Sequence, residues 1–445
     1  MDRVFFADEI RSNRRRPMRR SASTVRFIAL VLVTAILTAV TACTQSAAPA
    51  TTPATTTAPT TKPSAATSAK PVAPTGDPIK FGWTYDLTVN PDAGLGGKAG
   101  YDAAVDDINA AGGIMGRPVQ VISYDDQGDV TKAQDNVKKL LYVDKADVIL
   151  QLNPSSTLGT ATLLTQEKKV NFQAYMVYAS IYEDPAKYPY HFTTGTTSLN
   201  ESREIAKYIV KTLGKTKVAM LVDNTAYGKM ESDELTAALK ELGVPQPLDI
   251  QQFALTDLDL TTQLKLEQSK GAEVLFFGQR GPIFNTFINN LNTMGWNIPV
   301  VGNMQFSYAD WDKLQALPVA KNFAMLSSRF AVADSSGNVS QKTLDFVKKW
   351  KSKLPKPVTG NLTVPMLAYD SLWLLKAAIE KTGSTSGPEL TKTLESMSEF
   401  RGPLIGESYP FRLSAKQHDA TPLEGLTMVK VFPTYHDYFK LEASR

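Results

Sequence analysis

The strongest constraint on the fold of this chain is a pattern in which short β-rich segments alternate with helical segments, and this pattern occurs twice. The first series occupies residues 79–174, and the second occupies residues 201–301. Parallel strands that are linked by helices form right-handed βαβ units, and such units build a parallel sheet with helices on both faces. Two separate series therefore predict an α/β protein with two doubly wound parallel-sheet lobes.

Hydrophobic periodicity defines the individual elements. Strands are predicted at residues 79–83, 119–124, 146–152, 170–174, 217–222, 248–253, 273–277, 299–301 and 426–432. Helices are predicted at residues 95–110, 131–143, 157–168, 201–213, 230–242, 258–269, 283–294, 341–354 and 365–381. The region from residue 323 onward is too short for a third domain, so we expect it to complete both lobes by crossing back between them.

The first 42 residues have the features of an export signal. Eight arginines precede an apolar run over residues 27–42, which is only about 24 Å long as a helix and is short for a membrane span. The only cysteine of the chain, Cys43, follows in a Val-Thr-Ala-Cys sequence that resembles the bacterial lipobox. We therefore predict a lipoprotein signal peptide over residues 1–42 and a lipid anchor at Cys43, on the outer side of the cytoplasmic membrane. The alternative is an uncleaved signal anchor with an incidental cysteine.

Residues 43–77 form a second non-globular segment. They are almost wholly Thr, Ala, Pro, Ser and Lys, a composition that cannot bury a core and that favours an extended tether. The globular part follows this tether. We predict that residues 78–196 and 329–404 form the first lobe, and that residues 197–328 and 405–445 form the second lobe.

Charge and the scarcity of cysteine and histidine exclude several classes of protein. The net charge is +4, but residues 1–42 contain eight arginines and three acids, so the remaining chain has 40 basic and 41 acidic side chains. This balance gives no indication of nucleic-acid binding. One cysteine and three widely separated histidines predict no disulfide, no metal site and no cofactor. No GxSxG, HExxH, Walker A or GxGxxG motif is present, so we expect no enzymatic activity.

Loops at the carboxyl ends of the predicted strands supply candidate binding residues, because ligands of open parallel sheets bind beyond these ends. In the first lobe the loops are residues 84–86, 153–157 and 175–178, and in the second lobe they are residues 223–227, 278–280 and 303–305. They contain many aromatic and hydroxyl side chains and few nucleophile–base pairs. This composition favours binding over catalysis.

Residues 100–118, with the sequence GYDAAVDDINAAGGIMGRP, and the YDD sequence of residues 124–126 resemble the leucine/isoleucine/valine-binding protein family. These are type I substrate-binding proteins of ATP-binding-cassette (ABC) importers. Further similar segments are residues 148–157, 192–195, 223–228, 277–282 and 402–404. The resemblance implies two lobes, joined by a three-strand hinge, that close on a small molecule and deliver it to an ABC permease. It places the crossovers near residues 194–199, 327–330 and 401–409, and we expect a monomer.

The resemblance also implies roles for individual residues. In the amino-acid binders of the family, a Ser/Thr loop at a helix start holds the ligand carboxylate, and Ser155, Ser156 and Thr157 match this loop. The alternative role of these residues is capping of the helix. Tyr178 falls on a second hydroxyl position of the family. Tyr227 matches a tyrosine that packs over the ligand, with packing in the core as its alternative role.

Two positions depart from the family pattern. Met304 stands where the amino-acid binders place the carboxylate that holds the ligand ammonium, and Arg280 stands at an aligned tyrosine position. A cleft with this exchange suits an anionic or neutral polar ligand, because a buried ammonium without a counter-charge is costly. Arg280 has an interlobe ion pair as its alternative role. With a different alignment of this loop, Asp223 or Asp86 supplies the missing carboxylate.

We therefore predict that the ligand is a small carboxylate. The tyrosines of these loops suit a flat group, so an aromatic carboxylate is one form of this ligand. The alternatives are a branched-chain amino acid or amide as the ligand, and a sensor in place of an importer component. The predicted ligand-binding residues are Tyr85, Ser155, Ser156, Thr157, Met176, Tyr178, Tyr227, Arg280 and Met304.

Overall fold

The structure is a computed structural model, and part of the chain is described in it. The described residues are 73–88, 91–175, 177–279, 282–309, 311–334, 336–358, 360, 362–406, 408–435 and 438–441. The predicted signal peptide, the predicted lipid-anchor residue Cys43 and two predicted site residues, Met176 and Arg280, lie outside them. Within the described part of the chain, no helix combines the length and the apolar character that crossing a bilayer requires.

Five parallel strands form the first sheet, in the order β2-β1-β3-β4-β5. The strands are β1 (Ile79–Tyr85), β2 (Val119–Asp125), β3 (Val148–Gln151), β4 (Asn171–Gln173) and β5 (His191–Thr193). The helices between them are α1 (Pro91–Ala110), α2 (Val130–Tyr142), α3 (Pro154–Gln166) and α4 (Ala179–Tyr182). Apolar strand residues such as Phe81 and Phe172 are fully buried, as expected for a parallel sheet that is covered on both faces.

Seven strands form the second sheet, in the order β12-β11-β10-β9-β8-β6-β7. The strands are β6 (Val218–Asp223), β7 (Asp249–Phe253), β8 (Val274–Phe277), β9 (Val300–Gly302), β10 (Phe323–Ser328), β11 (Leu426–Tyr435) and β12 (Tyr438–Leu441). The helices of this region are α5 (Ser198–Lys207), α6 (Ala226–Glu241), α7 (Thr261–Lys270), α8 (Pro282–Met294) and α9 (Trp311–Leu314). Strands β6 to β10 are parallel and repeat the strand order of the first sheet, whereas β11 and β12 are antiparallel additions. The predicted fold class is confirmed.

Three helices after β10 return to the first sheet: α10 (Gln341–Lys353), α11 (Thr363–Thr382) and α12 (Gly387–Glu395). The indole nitrogen of Trp350 on α10 donates to the carbonyl oxygen of Gly96 on α1 at 2.8 Å. A Cβ atom at Gly100 of α1 would lie 2.5 Å from the carbonyl oxygen of Pro365 on α11, so only glycine permits this close packing. The chain then forms β11, so the region after residue 323 contributes to both sheets.

The chain passes between the two sheets three times, after β5, after β10 and before β11. The first crossover is residues 194–197, the second begins at Ser328, and the third is residues 421–425. Before the third crossover, the backbone N–H of Thr193 donates to His418, and the backbone N–H of Ala420 donates to Thr193, both at 2.9 Å. Residues 418–420 therefore extend the edge of the first sheet beside β5.

This arrangement differs from two boundaries that the sequence predicts. The third crossover is expected near residues 401–409, and residues 405–445 are expected in the second lobe, but residues up to 420 bond to the first lobe. The physical reason is Asp370 on α11, whose carboxylate accepts the backbone N–H groups of Leu404 at 3.1 Å and Ile405 at 2.8 Å. These bonds hold residues 402–406 on the first lobe, and the remaining lobe boundaries stay a prediction.

Candidate functional site

The carboxyl edge of the first sheet presents two hydroxyl groups side by side. Asn153 follows β3 and caps α3, because its side-chain oxygen accepts the backbone N–H of Ser155 at 2.9 Å. Pro154 occupies the first turn, where its missing N–H costs nothing. The hydroxyl of Ser155 lies 3.3 Å from the phenol oxygen of Tyr178, which follows β4. The structure therefore brings together these two predicted site residues at the start of a helix.

The other two residues of the predicted Ser/Thr loop direct their hydroxyls inward. The hydroxyl of Ser156 donates to the buried carboxylate of Asp126 at 3.3 Å. The hydroxyl of Thr157 lies 3.0 Å from the carbonyl oxygen of Asn153 and 2.9 Å from the side-chain oxygen of Gln173. Each hydroxyl has only one hydrogen to donate, and each donates it to a group of the first lobe. These two side chains therefore hold the loop in place. Their direct contact with a ligand stays a prediction, and the capping role belongs to Asn153.

The tyrosines at this edge are buried to different degrees. Tyr85 is 7% exposed and stacks on Trp83 with ring centroids 6.0 Å apart. Tyr178 is half-buried, and desolvation by burial raises its pKa. The charges of Asp223, at the end of β6, and of Glu231, on α6, raise the pKa of Tyr178 further.

Asp223, at the end of β6, is a fully bonded acid at that second edge. One carboxylate oxygen accepts the backbone N–H of Thr225 at 2.7 Å, and the other accepts the side-chain amide of Gln279. The hydroxyl of Thr225 in turn caps α6. Asp223 therefore fixes the loop between β6 and α6, next to the predicted site residue Tyr227 in the first turn of α6.

Tyr227, Glu231 and Asn303 form a hydrogen-bonded group next to this loop. The phenol of Tyr227 donates to Glu231 Oε1 at 3.0 Å, and the side-chain amide of Asn303 donates to Tyr227 at 2.9 Å and also to Glu231 Oε1. Glu231 lies directly over Gly278, where a Cβ atom would be 2.0 Å from Glu231 Oε2. Burial raises the pKa of Glu231 well above its usual value.

Two further glutamates lie near Glu231, where α5 packs against α6. Glu201 on α5 is 3% exposed, and burial together with the charge of Glu234 raises its pKa to about 8. Glu234 on α6 accepts the hydroxyl of Ser198 at 2.9 Å, and burial raises its pKa to about 7. The second edge is therefore rich in carboxyl groups that resist ionisation.

A small cavity of about 10 Å³, with room for about one water molecule, lies at the three crossovers. It is lined by Tyr175, Gly195, Thr196, Glu201, Met304, Ser328, Thr363, Leu367, Thr421 and Leu426. Met304, which occupies the acid position of the family pattern, is 3% exposed and contributes an apolar wall. Among the described residues, no group of three or more His, Cys, Asp or Glu side chains is arranged to hold a metal ion.

The sequence-based prediction omits Glu201, Glu231 and Asn303 from the ligand-binding set. Two signals were available. Glu231 stands four residues after Tyr227, a spacing that places both on one helix face. Glu201 shares the spacing of the buried residues Ile205 and Tyr208, so it puts a charged group on an otherwise apolar face.

Comparisons with known proteins extend over the same part of the chain. The sequence profile of the family described as "Periplasmic binding protein" matches residues 78–431. The chain is 24% identical over 308 residues to the Leu/Ile/Val-binding protein BraC3 of Rhizobium johnstonii. The alignment covers 66% of this chain and 77% of that protein.

Two solved structures have the same fold. One is the branched-chain amino acid transporter substrate binding protein LivJ of Streptococcus pneumoniae, in complex with isoleucine (TM-score 0.65, 20% identity, 82% of this chain and 98% of that chain). The other is a solute binding protein of an ABC transporter from Rhodopseudomonas palustris HaA2, in complex with p-hydroxybenzoic acid (TM-score 0.67, 17% identity, 82% and 95%).

Proposed function

Because this chain belongs to the periplasmic binding protein family, whose members bind solutes outside the cytoplasmic membrane and are not enzymes, we propose that it delivers a small organic acid to an ABC permease. The acid binds between the two carboxyl edges, with its carboxylate at the first edge and its carbon skeleton against the tyrosines. Binding and release are coupled to closing and opening of the lobes.

The observation that carries this proposal is the pair of hydroxyls at the start of α3. Ser155 and Tyr178 are 3.3 Å apart and lie at the N-terminus of a 13-residue helix. A helix N-terminus favours an anion, and two hydroxyls supply hydrogen bonds to its oxygens. Tyr178 and Tyr227, both half-buried, supply flat surfaces on the two sides of the cleft.

The solutes of the two structural relatives share one chemical feature with this proposal. Isoleucine and p-hydroxybenzoic acid both carry a carboxylate, but only the first carries an amino group. A receptor for the carboxylate at the first edge is compatible with either solute. Arg280 remains a proposed second contact to the acid.

Calorimetric titration tests the carboxylate. We expect isoleucine, leucine, benzoate or 4-hydroxybenzoate to bind, and the matching uncharged amide to bind far more weakly. Ser155→Ala and Tyr178→Phe should each lower the affinity about tenfold, as for the loss of a hydrogen bond to a charged group. Tyr142→Phe, which removes a phenol bonded to Glu167 on the outer surface, is the matched control and should bind like the wild type. Equal binding of acid and amide would contradict the proposal.

We also propose that the mature protein is held at the membrane through a lipid on Cys43. Such an anchor keeps the solute-binding lobes close to the permease, with residues 44–77 as the tether. Cys43→Ala should move the protein from the membrane fraction to the soluble extracytoplasmic fraction. Mass spectrometry of the mature N-terminus should show a lipid-modified cysteine. A mature protein that begins before residue 43 and carries no lipid would contradict the anchor.

A further inference from the structure

One aromatic side chain of the second lobe reaches the first lobe outside the three crossovers. Tyr308 is half-buried and ends a short 3-10 helix, Met304–Tyr308, which follows β9. Phe306 of this 3-10 helix is fully buried in the core of the second lobe, and its carbonyl oxygen accepts the indole N–H of Trp311 at 2.6 Å. The 3-10 helix is therefore fixed to the second lobe, and Tyr308 extends from its end.

The first lobe supplies a socket for the ring of Tyr308. A Cβ atom at Gly360, between α10 and α11, would lie 2.7 Å from Cε1 of Tyr308, and Gly360 has a φ of 117°. Both observations require glycine at this position. Other residues around the ring leave a void of only about 10 Å³, so the contact is well packed. They include Ala93 and Gly96 of α1, Trp350 of α10, Val358 before Gly360, and Val364 of α11.

Contacts within the first lobe hold this socket together. The indole nitrogen of Trp350 donates to the carbonyl oxygen of Gly96 at 2.8 Å. A Cβ atom at Gly96 would lie 3.7 Å from Cζ2 of Trp350 and 3.9 Å from Cγ2 of Val358, so both side chains lie against α1. The socket therefore does not need Tyr308 to keep its shape. Two preformed surfaces that meet through one side chain can separate by a hinge motion without reorganising either lobe.

The other end of the same 3-10 helix belongs to the candidate site. Asn303 caps it, because its side-chain oxygen accepts the backbone N–H of Gln305 at 2.9 Å. The side-chain amide of Asn303 also donates to the phenol oxygen of Tyr227 at 2.9 Å. The residues from Asn303 to Tyr308 span about 10 Å in a 3-10 helix. One short element therefore connects the candidate site to the contact between the lobes.

We propose that Tyr308 is an interlobe latch, which means that its insertion into the socket stabilises the closed arrangement of the lobes with or without a solute. A solute that binds only the closed lobes has an affinity proportional to the fraction that is closed before binding. The latch therefore changes the affinity for every solute by the same factor and leaves the order of preference unchanged. This inference goes beyond the proposed function, because it does not depend on which solute the cleft accepts.

The distance between the lobes in solute-free protein tests the latch directly. Spin labels are attached to Thr131→Cys and Lys229→Cys, two exposed positions in the first turns of α2 and α6, at the two carboxyl edges. The Cys43→Ala background removes the only other thiol. The full chain is freed of bound solute by unfolding and refolding, and double electron–electron resonance gives the distribution of distances. We expect Tyr308→Ala to reduce the population at the shortest interlobe distance at least about threefold.

A second variant tests the same contact from the first lobe. Val358→Ser removes apolar surface from the socket and should shift the distances in the same direction. The double variant should shift them no further than Tyr308→Ala alone, because both substitutions remove one contact. Tyr188→Ala is the matched control, since Tyr188 is a half-buried tyrosine that packs on His191 within the first lobe. The control should keep the wild-type distances. If Tyr308→Ala does not fold, Val358→Ser decides.

Calorimetric titration with leucine and with 4-hydroxybenzoate tests the effect on affinity. Tyr308→Ala should weaken each probe that binds the wild type by the same factor, about tenfold. A loss that differs between the two probes would show that Tyr308 contacts the solute, and it would overturn the latch. Unchanged distances in Tyr308→Ala and Val358→Ser would also overturn it. If neither probe binds the wild type, the result counts against the proposed function, and the distances in solute-free protein still decide on the latch.

Discussion

The two sheet edges that line the cleft satisfy their polar groups in different ways. At the first edge, the hydroxyls of Ser156 and Thr157 bond to groups of their own lobe, and Asp126 accepts several hydrogen bonds. At the second edge, Glu201 and Glu231 each keep an oxygen atom unpaired. These three side chains of the first edge are therefore bonded within their own lobe, whereas Glu201 and Glu231 each have a buried acceptor left over.

This difference between the two edges bears on two properties of the binding site, its geometry and its selectivity for solutes. A network with all its bonds made holds its shape, so the first edge presents Ser155 and Tyr178 at a fixed spacing and loses little entropy on binding. A site with unpaired buried acceptors discriminates strongly against solutes that lack the matching donor. We therefore propose that the second edge contributes more to solute selectivity than the first edge.

The largest expected effect is a loss of stability as pH rises from about 5 to about 8. The pKa of Glu201 is about 8, above its value of 4.5 in the unfolded chain, because of burial and the charge of Glu234. The folded chain thus binds more protons, and the free energy of unfolding falls as pH rises between these two values. We expect solute-free protein to lose about 3–4 kcal/mol from this residue between about pH 5 and pH 8, measured by urea unfolding.

Glu201→Gln isolates this contribution. The difference in unfolding free energy between variant and wild type should grow in favour of the variant as pH rises. Glu389→Gln, which changes an exposed glutamate on α12, is the control and should show no such growth. A difference that stays constant across this pH range would show that Glu201 ionises as easily in the folded chain as in the unfolded chain. The second edge would then not differ from the first edge in this respect.

A buried histidine of the first lobe should contribute the opposite pH dependence. His191 is fully buried, and burial lowers its pKa from 6.5 to about 4. As pH falls, His191 is protonated in the unfolded chain before it is protonated in the folded chain. The free energy of unfolding therefore decreases as pH falls from 6.5 to 4. We expect a loss of about 2–3 kcal/mol over this range, which His191→Gln should remove. An NMR titration that finds an ordinary pKa for His191 would contradict this expectation.

The next largest loss of stability is expected for substitution of Gly278, which lies beside Glu231 of the second edge. Gly278→Val would place a Cβ atom 2.0 Å from Glu231 Oε2 and displace that carboxyl group. We expect a loss of about 2 kcal/mol in stability and weaker solute binding. Gly96→Ala in the first lobe is the matched control, since its nearest neighbour would be 3.7 Å away, and thermal melting should show no loss. Wild-type stability of Gly278→Val would mean that Glu231 is not held over this glycine.

The smallest effect is expected at Asp126 of the first edge. Asp126→Asn replaces an acceptor of the Thr84 and Ser156 hydroxyls and should cost about 1 kcal/mol in urea unfolding. Asp135→Asn changes an exposed acid on α2 and is expected to be neutral. A gain in stability at Asp126→Asn would show that this acid, like those of the second edge, lacks sufficient partners.

The fold could be predicted because hydrophobic periodicity and turn residues determine the secondary structure of short stretches of sequence. The two strand orders follow from alternating elements and from the handedness of βαβ units. The position of the third crossover depends instead on Asp370, which binds the backbone of residues 404–405 from 34 residues away. No local pattern encodes such a bond.

The site was predictable only in part, for the same reason. The carboxyl-end rule identified the loops that hold Ser155, Tyr178 and Tyr227. Glu201 and Glu231 lie inside helices, and their proximity depends on how α5 packs against α6, which tertiary contacts determine. The sequence therefore predicted no acid at the position of Met304, whereas in the structure Glu201 of α5 lines the same cavity as Met304.

The first and third crossovers are bonded to each other. The backbone N–H of Thr421 donates to the carbonyl oxygen of Gly195, and its hydroxyl donates to that of Thr194. Paired segments of this kind permit bending but resist torsion, so the two lobes approach along a single arc. Complete closure then depends on the length of the bound solute, and a solute that is too long for the cleft would hold the lobes apart.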